Sequence, residues 1–140
     1  PAMRVAVRPP EVFRCAPAQA GLSDVEAFAE DSHAAGSRFG RSYITRVLGD
    51  DQAEWRTQSP RYLADRIKVP VFLAHGEVDK RTPYAQAVEM KKALEKAGNA
   101  PEWMSVPGEG HGFYGDGNNV EFYRRLEAFL ERHLGAENNQ

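Results

Sequence analysis

Two residues of this chain have the types and the placement to do acid–base chemistry together. Asp79 closes the stretch VPVFLAHGEVD (69–79), an apolar run that breaks at Gly76 and then offers a carboxylate. His111 lies in PGEGHGF (107–113), directly after another apolar stretch. A carboxylate that accepts a hydrogen bond from one imidazole nitrogen sets the ring's tautomer, and the other nitrogen is then free to take a proton. Asp79 and His111 are therefore read either as the acid and the general base of an acid–histidine–nucleophile set, or as turn residues of two strand-end loops. Gly108, Gly110 and Gly112 are expected to let a tight loop carry His111 back over the sheet, since glycine tolerates positive φ.

The nucleophile is missing from this set. No G-x-S-x-G occurs, and Ser23, Ser59 and Ser105 all lack a glycine-flanked strand-to-helix turn. Cys15, the single cysteine, sits in an apolar run, where cysteine behaves as a small buried hydrophobe. It excludes an internal disulfide. His75, Glu77 and Asp79 alternate as metal ligands do, but an H-x-E zinc site of the deaminase kind needs a downstream P-C-x-x-C. Neither a metal nor a cofactor is expected. His75 is read as a satisfied residue at a strand end, and His33 and His133 as surface or helix-packing residues. Arg81 is read as half of a surface ion pair.

The elements that must position Asp79 and His111 follow from periodicity. Strands are expected over 13–21, 69–76 and 101–108. The middle one is apolar enough for burial on both faces, and the first, with Pro17, suits an edge. A helix is expected between the last two strands, with Thr82 as cap, Pro83 at its first position and Gly98 just past its end. Ala87, Met90, Leu94 and Ala97 form its inner stripe. A last helix is expected over about 120–134, with Phe122, Leu126, Phe129, Leu130 and His133 at helical spacing, before Gly135. Such strand–helix alternation predicts a parallel sheet, whose ligands gather outside the strands' carboxyl ends. Asp79 and His111 fall on two such ends. Between 22 and 67, DVEAFAED and RSYITRVL read as helical, HAAGSRFGR as a mobile connection, and Ser59-Pro60 as the start of a short helix to Ile67. This block is expected over one edge of the strand ends, and the tail 136–140 is expected to fray.

Composition bounds the rest. The chain has 140 residues, 27% of them charged and 41% hydrophobic, which suits one ordinary globular domain. A net charge of −2 speaks against nucleic acid or an anionic membrane as partner. No apolar run reaches the roughly 18–20 residues of a membrane helix. The opening PAMRVAVRPP has neither an initiator Met nor a signal-peptide pattern. It reads as a cut in a longer protein, which leaves the compartment open, with a cytoplasmic location slightly favoured.

Three segments carry a family resemblance: PPEVFRCAPAQAGLSD (9–24), SPRYLADRIKVPVFLAHGEVDKRTPYAQAVEMKKALEKAG (59–98) and PGEGHGF (107–113). In order and spacing they are similar to the C-terminal part of the catalytic domain of prolyl oligopeptidase family serine peptidases, which include dipeptidyl and acylaminoacyl peptidases. The acid-then-histidine order is that of α/β-hydrolases. The resemblance implies a partial α/β-hydrolase fold over residues 1–140, about three parallel strands with flanking helices, lacking the front part that bears the nucleophile. It implies Asp79 as triad acid, His111 as general base, Arg81 near the substrate-binding rim, and a peptide substrate for the intact protein. It also implies that this chain alone is inactive. An esterase or dienelactone hydrolase of the same fold is the rival within the class. A non-catalytic fragment that self-associates through an exposed sheet edge is the rival outside it.

Overall fold

The computed structural model describes residues 2–7, 12–49, 51–115 and 117–135. Three parallel strands, β1 (Ala16–Gln19), β2 (Val71–Gly76) and β3 (Glu102–Val106), form one sheet in the order β1-β2-β3. Ala16 pairs with Val71, Phe72 with Glu102, and Gly76 with Val106. Every residue of the central strand β2 is buried, as its apolar run requires. β1 is at an edge, where Pro17's missing N–H costs least. The frayed tail expected at 136–140 lies outside the described residues.

The helices cover both faces. Val71 and Leu73 point to one side, into a cluster with Met3, Ile67, Met90 and Leu94. They meet there α1 (Ala2–Ala6), a 3-10 segment (Pro60–Arg66) and α5 (Ala85–Lys96). Phe72 and Ala74 point to the other side, against Met104, Phe113 and the α6 residues Phe122 and Phe129 (α6, Asn118–Leu134). Phe72 packs on Phe129 with ring centres 5.8 Å apart. Alternation along the strand thus places successive side chains in two cores. Each fully buried Leu or Phe contributes about 1.5–3 kcal/mol through area alone.

The end of α5 matches expectation: Gly98 takes φ +78°, and the amides of Gly98 and Asn99 close on the carbonyls of Glu95 and Leu94. Its start does not. The helix begins at Ala85, and Thr82 lies in the preceding turn, its N–H bonded to Asp79 Oδ1 at 3.0 Å. Asp79 itself accepts the amides of Arg81 and Thr82, so the chain first makes a turn closed by that carboxylate and enters the helix only at Ala85. Nor does Gly135 form a left-handed cap, since its φ is −49°.

The middle block is more helical than expected. α2 (Val25–Asp31) is capped by Asp24, as DVEAFAED suggests. HAAGSRFGR is not a mobile connection: His33–Gly36 is a 3-10 turn, and α3 (Arg38–Leu48) starts inside the segment. Ser37 Oγ accepts from Gly40 N at 2.9 Å, and Arg41 Nη1 donates to the Ala35 carbonyl at 2.7 Å. These local bonds overcome the low helix propensity of its glycines. α4 (Gln52–Gln58), capped by Asp51, was not anticipated. The block is anchored to α5 by Gln86, which accepts from the amides of Ser23 and Asp24 and donates to the Asp24 carbonyl.

Candidate active site

The site grows from the point where β2 ends. Gly76 N-terminal to the turn has no room for a side chain: a Cβ there would collide with the carbonyl oxygens of Glu109 and Gly110. The two strand-end loops therefore cross in direct backbone contact. Val78 N donates to the Glu109 carbonyl at 3.0 Å, and Glu77 N donates to Val106 O at 3.1 Å. The glycine noticed as a strand terminator is needed for this approach.

Asp79 occupies the turn that follows, with its side chain wholly buried. Oδ1 accepts from the amides of Arg81 at 2.8 Å and Thr82 at 3.0 Å, an Asx turn that fixes the carboxylate plane. Oδ2 accepts from His111 Nδ1 at 2.9 Å. His75 Nε2 lies 3.3 Å from the same oxygen. Burial is the largest influence on this carboxyl and pushes it up. The hydrogen bond from His111 and those from Thr82 and Arg81 together outweigh it, and hold Asp79 below the usual carboxylate range.

His111 reaches the acid from the loop after β3. Because Oδ2 accepts, Nδ1 carries the proton and Nε2 is left with its lone pair. Its side chain is 42% exposed, so the ring spans from the buried acid to the surface. The loop is held by Glu109, whose carboxylate accepts from Tyr114 N at 3.0 Å, Gly115 N at 2.6 Å and Asn118 Nδ2 at 2.8 Å. These bonds, that from Asn118 first, hold the Glu109 carboxyl below its ordinary range. Of the three glycines expected to shape the loop by positive φ, only Gly108 does so, at +76°. Glu109, which sequence reasoning passed over, supplies the rest of the loop's shape. The E-x-H spacing was its signal.

The other candidates are placed as follows. Arg81 is exposed, and its backbone rather than its guanidinium meets Asp79. Ser23 and Ser59 are buried, with hydroxyls given to Gln86 O at 2.6 Å and Trp55 O at 2.7 Å. Cys15 is buried and burial pushes its thiol up, away from thiolate chemistry. His33 is exposed, and His133 packs edge-on against Phe129. His75 differs from expectation: it is fully buried, and its Nδ1 has no partner among the described residues. Glu77 is exposed and turned away from the interior that holds His75 and Asp79.

Comparison with known proteins identifies the family and the fold. The model of the prolyl oligopeptidase family matches residues 2–137. Dipeptidyl peptidase family member 6 of Caenorhabditis elegans is 29% identical over 103 residues, 69% of this chain and 14% of that protein. Dipeptidyl aminopeptidase BIII of Pseudoxanthomonas mexicana is 32% identical over 98 residues, 66% of this chain and again 14% of the relative. Among solved structures, a puromycin-hydrolyzing peptidase of Mycobacterium tuberculosis superposes with a TM-score of 0.86 at 28% identity, over 96% of this chain and 20% of that one. An acylaminoacyl peptidase of Pyrococcus horikoshii superposes at 0.80 with 22% identity, over 97% of this chain and 23% of its own. The chain thus spans about a seventh of the length of these curated relatives. It belongs to the prolyl oligopeptidase family, and its three parallel strands with flanking helices are part of the α/β-hydrolase fold.

Proposed function

We propose that, in this member of the prolyl oligopeptidase family, Asp79 and His111 are the acid and the general base of a serine peptidase acting on peptide or acyl-peptide bonds. The nucleophilic serine would come from a part of the protein outside these 140 residues. One observation carries the reading: a 2.9 Å bond joins His111 Nδ1 to a buried carboxylate at the carboxyl ends of adjacent parallel strands. His111 Nε2 takes the serine proton as Oγ attacks the scissile carbonyl, and Asp79 stabilises the imidazolium that results. The same nitrogen returns the proton to the leaving amine, and water then releases the acyl group by the reverse transfers. Partial exposure suits a ring that must meet both serine and substrate. Arg81, exposed and two residues from the acid, is proposed at the substrate-binding rim. The puromycin-hydrolyzing, acylaminoacyl and dipeptidyl relatives favour aminoacyl and short peptidyl substrates.

The test compares this chain with the full-length protein that carries it. Only the full-length protein should hydrolyse aminoacyl- and peptidyl-chromogenic substrates and react with a fluorophosphonate probe. There His111→Ala should lower kcat by roughly 10⁴-fold or more. Labelling of a serine in the 140-residue chain by itself would end the reading.

A specific feature favours self-association of the isolated chain as well. The edge strand β1 borders an open recess of about 350 Å³ lined by Val5, Ala6, Phe13, Cys15, Ala16 and Pro17. An apolar edge of this kind pairs with a further strand. Light scattering of the isolated chain should show dimers or larger species at tens of micromolar, and a clean monomer would count against it.

A further inference from the structure

Asp79 serves two imidazoles, and only one of them has a role in the peptidase reading. We propose that the second, His75, is a positioning residue that holds the Asp79–Thr82 turn, and with it the carboxylate, through an Nε2–H donated to the Thr82 carbonyl beside Asp79 Oδ2. This inference rests on the reading of Asp79 and His111 as acid and base.

The tautomer follows from the neighbours. His75 Nε2 lies 2.9 Å from the backbone carbonyl of Thr82 and 3.3 Å from Asp79 Oδ2. Both are acceptors, so a lone pair on Nε2 would face two oxygens with nothing between them. Nε2 therefore carries the hydrogen. Nδ1 is buried without a partner among the described residues. A bare lone pair is tolerated there better than an N–H with no acceptor, because orphaned buried donors are the rarer case. The ring accordingly donates through Nε2–H.

Tyr84 meets the ring edge-on at 6.0 Å. The ring also borders a cavity of about 10 Å³ lined by Met3, Ala18, Ser23, Ala87 and Met90, from α1, β1, the loop after it and α5. None of these is charged, and the space is too small for a ligand. Among the described residues, the charge that meets His75 is the carboxylate of Asp79. A leucine or phenylalanine would fill this position without leaving a nitrogen unsatisfied, so packing alone does not account for an imidazole here.

The geometric effect is on Oδ2. Oδ1 is pinned by two amides, and His75 approaches Oδ2 from the strand side while His111 approaches from the loop side. Rotation of the carboxylate would break a bond on either oxygen. Asp79 is thus preset before His111 docks, and His75, sealed on every side, cannot replace His111 as base.

Two measurements test this. In the full-length protein, His75→Leu should lower kcat by about 10- to 100-fold with little change in KM, as expected when a catalytic group drifts by a fraction of an ångström. His75→Gln, which places an N–H near the position of Nε2, should restore most of it. Equal activity of the leucine variant and wild type, or no rescue by glutamine when thermal melts show both variants folded, would overturn the proposal. In the wild-type 140-residue chain with ¹⁵N-labelled histidine, NMR should show His75 protonated at Nε2 and bare at Nδ1. The opposite tautomer would overturn the proposal whatever the variants do. An inactive full-length wild type would sink the peptidase reading alone, and the His75 tautomer would still be decided by NMR.

Discussion

The turn that holds Asp79 and the loop that holds His111 leave neighbouring strands, yet they are built in opposite ways. The Asp79 turn is short and closes on itself: the carboxylate takes its own following amides and faces no solvent. The His111 loop is longer and is closed by a different side chain, Glu109, with its functional ring left 42% exposed. The acid is thus part of the core, and the base is a surface group tethered to it. An acid whose task is to hold charge and orientation gains from burial, because its hydrogen bonds are stronger there. A base that must meet substrate gains from access. The two designs touch at Gly76, where the backbone of one loop lies on the other.

This contrast can be broken from either side. Asp79→Asn keeps the shape of the turn but changes the hydrogen-bond sense at His111. In the full-length protein it should cost about 10⁴-fold in kcat, some 5.5 kcal/mol, as for the aspartate of a triad, while far-ultraviolet circular dichroism stays unchanged. Gly76→Ala strikes the contact between the loops, and both must move. The expected loss is about 3 kcal/mol of folding stability, read from urea unfolding of the same protein, because overpacking against backbone cannot relax by a rotamer change. Glu109→Gln should act on the base loop only. Amide exchange at Tyr114 and Gly115 should quicken, and kcat should fall more than KM rises, with the Asp79 turn unaffected.

The mildest lever is acid. The Asp79 and Glu109 carboxyls are both held below the ordinary range, so the folded state binds protons less readily than the unfolded one. Their contribution to stability is complete above the unfolded carboxylate range, at about pH 4, and is lost as pH falls through it and below. The melting temperature should therefore drop below about pH 4, and Asp79→Asn with Glu109→Gln should flatten that drop. A wild-type profile as flat as that of the double variant would show that these carboxylates carry no such coupling.

A second pair of regions explains what could be read in advance. In residues 69–134 each strand and helix lies near its expected place, because the buried stripes there are continuous: β2 is buried throughout, and Met90, Leu94, Phe122 and Phe129 recur at helical spacing. In residues 22–67 the pattern and the burial part company. On α3 only Ile44 is buried, while Phe39, Tyr43 and Val47 face solvent. Its extent and that of α4 depend on caps at Ser37 and Asp51 and on local bonds such as Arg41 to Ala35. Such signals are one hydrogen bond deep and are easily outvoted by glycine-rich composition. The start of α5 was misplaced for a related reason: Thr82 looks like a cap in isolation, but a carboxylate three residues earlier closes a turn there, and the helix starts at Ala85.

From the order of residues alone came the parallel α/β class, the strand ends that carry Asp79 and His111, and the absence of a G-x-S-x-G motif in these 140 residues. Those features are local, since they depend on periodicity, on turn formers and on which residue follows which. Tertiary structure decided that Oδ2 of Asp79 is shared by two imidazoles, that Glu109 closes the loop around the base, and that Gly76 exists for a backbone crossing. The His111 bond and the Gly76 crossing join segments far apart in the chain, and the His75 and Glu109 contacts lie within one turn or loop, but each is a contact made in three dimensions. Its energy depends on distance and direction in space, and a one-dimensional spacing carries neither.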